Sequence, residues 1–171
     1  MNFKNTVLPV QTMLQSKGRL LDLQKPVVMG ILNATPDSFY NKGEGSDMAS
    51  LLHMAEKMLN EGAAILDVGG ASTRPGAELI EAGEEQQRVL PVIEAIIKRF
   101  PDTWLSVDTY NSATAKNAAE AGASVINDVS GGAFDKEMLK TVASLKVPYI
   151  AMHMRGTPQT MQQNTQYDDV V

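Results

Sequence analysis

Six polar side chains fall where short apolar runs end, and their types suit hydrogen-bonding chemistry. Asn33 follows Val27–Leu32, and Asp67 closes on Gly69-Gly70 in the run Ala64–Val68. Asp108 follows Trp104–Val107, Asn127 and Asp128 follow Ser124–Ile126, and His153 follows Pro148–Met152. Carboxylates and amides at such places can bind a ligand through hydrogen bonds. An Asp or Asn after a strand is equally a turn former or a helix N-cap. Asp128 in particular can cap its own turn and leave Asn127 as the ligand. Recurrence at five successive runs favours a shared pocket.

Two loops accompany these residues. The first reads Asn33-Ala34-Thr35-Pro36-Asp37-Ser38-Phe39, followed by Asn41, Gly43 and Gly45. The second reads Gly69-Gly70-Ala71-Ser72-Thr73-Arg74-Pro75-Gly76. Glycines permit close backbone approach, hydroxyls donate hydrogen bonds, and the Arg74 fork suits carboxylate or phosphate. From the residues alone these are loops that handle anions and can order over a ligand. Neither matches a Walker P-loop or a dinucleotide fingerprint. No convincing Ser-His-Asp set exists; His53 reads as a helix-surface residue, and His153 as structural or ligand-touching.

The elements that must position these residues alternate. The five apolar runs have strand length and branched side chains. The first helix pattern opens near Ser46 or Asp47, carries Leu51, Leu52, Ala55, Met58 and Leu59 on one apolar stripe, and stops at Gly62. The second spans about Ala82 to Arg99, with Val89, Val92, Ile93, Ile96, Ile97 and Phe100 inward and Pro91 expected to kink or restart it. The third opens at Asn111 or Ser112 and stops at Gly122. The fourth opens at Asp135 and buries Met138, Leu139, Val142 and Leu145, and the tail from Gln159 leads towards a fifth. Strand–helix alternation means a parallel sheet with right-handed crossovers. Residues 1–26 stand outside the alternation, and Leu20–Leu23 suits a strand of an N-terminal hairpin.

Composition narrows the class. With 171 residues, 43% hydrophobic and 20% charged, the chain can bury a real core as one domain, which excludes disorder and fibres. A complete (β/α)8 barrel takes about 250 residues. The net charge of −5 disfavours a general nucleic-acid binder. Cysteine is absent, which removes thiolate metal sites and fits a cytoplasmic location. No stretch approaches the ~20 apolar residues of a membrane span, and Met1–Gln24 lacks the apolar centre of a signal peptide.

The motifs carry a resemblance. Met29-Gly30-Ile31-Leu32-Asn33-Ala34-Thr35-Pro36-Asp37-Ser38-Phe39 resembles the first signature of dihydropteroate synthases. Asp67-Val68-Gly69-Gly70 with Ser72-Thr73-Arg74-Pro75-Gly76 resembles the second. Ser106-Val107-Asp108-Thr109, Ile126-Asn127-Asp128 and Met152-His153-Met154 follow in the family's order, so that the likeness covers about residues 20 to 171. It implies an α/β fold of the TIM (β/α)8 barrel family, present as an incomplete barrel of about five βα units, with 1–26 as an N-terminal extension. The implied activity is a transferase of folate biosynthesis. It joins 6-hydroxymethyl-7,8-dihydropterin diphosphate to 4-aminobenzoate, giving 7,8-dihydropteroate and diphosphate, with Mg2+ as cofactor and sulfonamides as competitors. Carried over by position, Asp108, Asn127 and Met152 are similar to pterin-pocket residues, and Asn33 to the magnesium and diphosphate residue. Asp37, Ser38 and Phe39 of the first loop and Thr73 and Arg74 of the second are similar to the pair that closes over diphosphate and aminobenzoate. Neither nucleic acid nor a membrane is an implied partner. Full-length members are expected to be homodimers, which leaves this chain's own state open.

The sequence departs from the family at Asn41, where the first loop usually carries an acid, and at Ala71, where many members have Glu or a larger residue. The later Asp-Pro-Gly, Ser-Arg-Lys and Arg-x-His segments do not occur in these 171 residues. The expectation is therefore a chain that lacks normal synthase turnover by itself. A related pterin-binding methyltransferase domain and a non-catalytic half-barrel binding module are the alternatives.

Overall fold

The computed structural model describes residues 12–35, 48–72, 79–157, 159–163 and 166. Strands β1 (Met13–Ser16) and β2 (Arg19–Asp22) form an antiparallel hairpin, as the Leu20–Leu23 run suggested. Five parallel strands follow: β3 (Val28–Asn33), β4 (Ala63–Gly69), β5 (Trp104–Asp108), β6 (Val125–Asp128) and β7 (Tyr149–Ala151). They pair in chain order, β3-β4-β5-β6-β7. Each crossover therefore steps to the next neighbour, the winding of a barrel rather than of a doubly wound sheet. The connecting helices are α1 (Met48–Asn60), α2 (Ala82–Arg99), α3 (Ser112–Ala121) and α4 (Met138–Leu145).

Side chains alternate across a strand, so each strand divides its residues between two faces. One face packs on the helices: Leu32, Leu66, Val68, Leu105, Val107 and Ile126 join Ala55, Val89, Ile93, Ile96, Ala118 and Met138 in one core. The other face begins with a smaller cluster, Ile65, Trp104 and Val125, against which Met29, Ile150 and the hairpin's Leu14 and Leu21 pack. Arg19 fastens the hairpin there. Its guanidinium donates to the Thr103 carbonyl at 3.0 Å and to Ser124 Oγ at 2.6 Å, and lies 5.4 Å from the centre of the Trp104 ring. One end of the concave face is thus closed by apolar packing, which leaves the strands' C-terminal ends for polar groups. On β3, at one sheet edge, Val28 and Ile31 are 63% and 60% exposed.

Several local expectations change. α2 runs unbroken through Pro91, which is exposed. The carbonyl four residues back belongs to exposed Gln87, so water can satisfy it. Ile97 and Phe100 pack against the core as expected, though half-buried. Asp135 forms the turn that leads into α4, which begins at Met138: its Oδ1 accepts from the Glu137 amide at 2.9 Å and its carbonyl from the Met138 amide at 3.0 Å. Its carboxylate accepts from the Ser112 amide at 2.8 Å and so caps α3, whose own N-cap residue Asn111 makes no side-chain cap. In α4 Met138 and Val142 are buried, but Leu139 is 57% exposed and Leu145 half-buried. Among the described residues of the tail from Gln159, Met161–Gln163 form a 3-10 turn. The Ser46–Asp47 cap lies outside the described residues.

Candidate active site

The strand register gathers the polar residues in a row. Asn33 pairs with Gly69, Gly69 with Asp108, and Asp108 with Asn127, across four neighbouring strands. All four stand at strand C-terminal ends, the side where parallel α/β sheets bind ligands. Asp67 lies two residues before Gly69 on the same face and is buried. Asn127 donates from Nδ2 to Asp67 Oδ2 at 2.9 Å, while Asn127 Oδ1 and Asp67 Oδ1 find no hydrogen-bond partner among the described residues. A buried amide oxygen without a donor is costly unless a ligand or water supplies one. The Asn127 amide is thereby held by one end and leaves an acceptor open beside Asp108.

The carboxylates here are electrostatically strained. Burial pushes Asp108 up to about 7, and the charges of Asp67, Glu85 and Asp128 push it the same way. Burial also raises Asp67, against the opposing pull of Ser106 and Asn127 beside it. A carboxylate crowded by other acids is stabilised by any ligand that brings N–H donors or positive charge.

Asp128 does structural work. It is fully buried, and Oδ1 accepts from the Ser130 amide and hydroxyl, each at 2.8 Å. Oδ2 accepts from the Gly132 amide at 2.9 Å and the Tyr149 hydroxyl at 2.7 Å. It shapes the turn after β6 and leaves Asn127 facing the row. That turn also seats Met152, whose amide donates to the Asp128 carbonyl at 3.0 Å and whose side chain is half-exposed. Gly131 has φ +59°, and a Cβ there would lie 2.5 Å from the Met152 carbonyl oxygen, so the approach of these two backbones demands glycine. His53 and His153 are both exposed.

Asp37, Ser38, Phe39 and Asn41 of the first loop and Thr73 and Arg74 of the second lie outside the described residues. The base of the second loop is described. A Cβ on Gly70 would meet Val89 Cγ1 at 2.7 Å and the Glu85 carbonyl oxygen at 3.3 Å, so the loop leaves the sheet pressed on α2. Gly70→Ala is expected to cost about 1–3 kcal/mol by overpacking this contact, read as a lower urea midpoint with unchanged m. A midpoint equal to wild type would show that α2 moves away freely.

One residue of consequence escapes a sequence reading. Glu85 is fully buried in the first turns of α2, where an acid normally suggests solvent and the helix dipole. Its signal is its place four residues before Val89, in line with Val92 and Ile96 on the buried stripe.

A sequential parallel sheet with acids and amides gathered at its C-terminal ends is the arrangement of a barrel-type enzyme site. Residues 29–171 match the pterin binding enzyme family, and the chain belongs to that family. It is 45% identical to the dihydropteroate synthase of Synechocystis over 148 residues, covering 86% of this chain and 51% of that protein. It is 46% identical to the Escherichia coli K12 dihydropteroate synthase over 155 residues, covering 91% and 54%. Among solved structures, it superposes on Yersinia pestis dihydropteroate synthase in a sulfonamide drug complex with a TM-score of 0.83 and 45% identity, over 92% of this chain and 56% of that one. The Xanthomonas albilineans enzyme in complex with 7,8-dihydropteroate gives a TM-score of 0.77 at 38% identity, over 93% and 54%. The chain spans about half the length of the curated relatives it matches.

Proposed function

We propose that this chain carries the pterin-reading part of a dihydropteroate synthase, a transferase that joins a dihydropterin diphosphate to 4-aminobenzoate and releases diphosphate. The observation that supports it most is the Asn33–Gly69–Asp108–Asn127 row, with the Asn127 acceptor open beside a crowded carboxylate. A pterin edge presents an amino group and ring nitrogens. Asp108 would accept from its N–H groups, and the Asn127 oxygen, held in place through Asp67, would accept a further one. Met152 would lie against the flat apolar ring face.

In the reaction the pterin methylene loses diphosphate and becomes cationic as the amine approaches. The acids at the strand ends set a negative potential around that carbon, which suits the developing charge. Holding the ring fixes the methylene towards the amine. Thr73, Arg74, Asp37, Ser38 and Phe39 are the residues we assign to closing over diphosphate and aminobenzoate. Asn33 is exposed at the end of β3, and its neutral oxygen suits a hard cation that keeps water and takes phosphate oxygens. Asn33 would hold Mg2+ there, and the ion would neutralise charge on the leaving diphosphate. A cytoplasmic location and homodimeric assembly of full-length members belong to the same reading. Among the described residues no helix is long and apolar enough to cross a membrane.

The test is calorimetric titration of the 171-residue protein with 6-hydroxymethylpterin, beside a coupled assay with pterin diphosphate, 4-aminobenzoate and magnesium. Saturable one-to-one pterin binding is expected, together with no turnover by this polypeptide alone. Absence of pterin binding would sink the reading. Turnover at the rate of an ordinary synthase would instead show that these residues suffice for the whole reaction.

A further inference from the structure

We propose that Glu85, Arg88 and Tyr110 are positioning residues that hold the backbone at Gly70 and at Ile80 to the turn carrying Asp108, so that pterin recognition by that turn depends on these links. The inference rests on the pterin reading above and assigns work to a buried carboxylate that the chemistry does not otherwise use.

Three links join the two segments. At the start of the second loop, Arg88 Nη1 on α2 donates to the Gly70 carbonyl at 2.7 Å. One turn earlier on the same helix, Glu85 Oε2 accepts from Thr109 Oγ1 at 2.7 Å and from Asn111 Nδ2 at 3.0 Å. Thr109 Oγ1 in turn accepts from the Asn111 amide at 3.0 Å, and the Thr109 amide donates to the Asn127 carbonyl at 2.9 Å. Just beyond the second loop, the Ile80 amide donates to the Tyr110 hydroxyl at 2.8 Å. The chain from Gly70 to Ile80 is therefore anchored at both ends to elements that contact the Asp108–Asn111 turn. Tyr110 is itself fixed, 6% exposed and edge-on to Phe134 with ring centres 5.8 Å apart.

Helix packing alone does not need this arrangement. A buried carboxylate is expensive, and an apolar residue of similar size would commonly serve the core as well or better. Glu85 supplies an acceptor that holds two donors of one turn, directly after Asp108. It also acts on Asp108 through space. The charged groups bearing on Asp108 are Asp67 from β4, Glu85 from α2 and Asp128 from β6, and Glu85 belongs to these links.

The experiment compares wild type, Glu85→Gln and Tyr110→Phe by 6-hydroxymethylpterin titration across pH 5 to 9, with thermal melts alongside. Glutamine leaves Thr109 and Asn111 one neutral oxygen, so that both bonds lose the charge that strengthens them. Glu85→Gln is expected to weaken pterin binding by about 5- to 30-fold and to move the pH midpoint of binding downward, because one charge raising Asp108 is gone. Tyr110→Phe keeps the ring contact and loses only the link to Ile80. It is expected to weaken binding about 2- to 5-fold with an unmoved midpoint, and it keeps the inference testable should Glu85→Gln fail to fold. A purely structural Glu85 would lower the melting temperature and leave affinity and midpoint unchanged in folded protein, which overturns the inference, as does wild-type affinity in Tyr110→Phe. Wild-type protein that binds no pterin overturns the functional reading itself, a result distinct from both.

Discussion

Asp108→Asn is expected to raise the stability of the chain at pH 8 while lowering its affinity for pterin by about 100-fold or more. The two effects share one cause. The Asp108 carboxyl is pushed from its ordinary 3.8 to about 7 by burial and by the acids Asp67, Glu85 and Asp128. In the unfolded chain it ionises near its ordinary value, so between about pH 4 and 7 the folded state holds more protons than the unfolded state. Stability therefore falls as pH rises through that window, and the loss is complete above 7. Asparagine removes the charge that the fold resists. The expected gain is about 1–3 kcal/mol at pH 8, since burial leaves Asp108 only partly screened, and close to none at pH 4. Urea melts at the two pH values measure it. Recognition moves the opposite way. A carboxylate gives charge-assisted hydrogen bonds to ligand N–H groups, whereas the amide presents one oxygen and turns its own N–H groups towards donors. Affinity of the wild type should accordingly rise as pH passes through about 7, and the variant should lose that dependence. A variant that is destabilised at pH 8 would place Asp108 among the structural acids instead.

The sequence shows this site in outline because strands write their ends locally. The runs Val27–Leu32, Ala64–Val68, Trp104–Val107, Ser124–Ile126 and Pro148–Met152 each fall within a residue or two of an observed strand. A parallel sheet then places Asn33, Asp67, Asp108 and Asn127 on one side without further information. Gly122 is also legible as a helix stop, since α3 ends at Ala121. What stays hidden is pairing across distance. The Asn127–Asp67 hydrogen bond spans 60 residues, and Glu85 meets Thr109 and Asn111 across 24 and 26. Local chemistry also tells only part of what some of these groups do. Asp135 does serve the turn before its own helix, where Oδ1 accepts from the Glu137 amide at 2.9 Å, yet its other oxygen serves Ser112, 23 residues earlier, which no local pattern shows. Leu139 continues an apolar stripe, and a stripe reading assumes a neighbour to cover every member. The result is a sequence that reveals which polar residues gather at the strand ends more readily than which residues hold them there.

Asp128→Ala is expected to do the reverse of Asp108→Asn, although the two acids sit at the ends of neighbouring strands. Asp128 is fully buried and accepts four hydrogen bonds, from the Ser130 amide, the Ser130 hydroxyl, the Gly132 amide and the Tyr149 hydroxyl. Alanine leaves those donors facing a small void. Each unsatisfied buried donor costs about 1–3 kcal/mol, and removing one partner from a buried charged network typically costs about 3–5 kcal/mol in all. At about 2–4 °C per kcal/mol for a chain of this size, the melting temperature should fall by roughly 6–20 °C. Asp128→Asn should fall between wild type and alanine, because the amide keeps one acceptor oxygen and turns N–H groups on the remaining donors. Tyr149→Phe, which removes only one of the four bonds, should cost about 1 kcal/mol. Graded losses in that order would identify Asp128 as the brace of the β6 turn and leave Asn127 as the residue that faces ligand. If Asp128→Ala melted like wild type while pterin affinity collapsed, the assignments would have to be exchanged, with Asp128 as the reader and Asn127 as its support. The opposite signs expected at Asp108 and Asp128 therefore separate, in one pair of melting curves, the acid kept for the ligand from the acid kept for the fold.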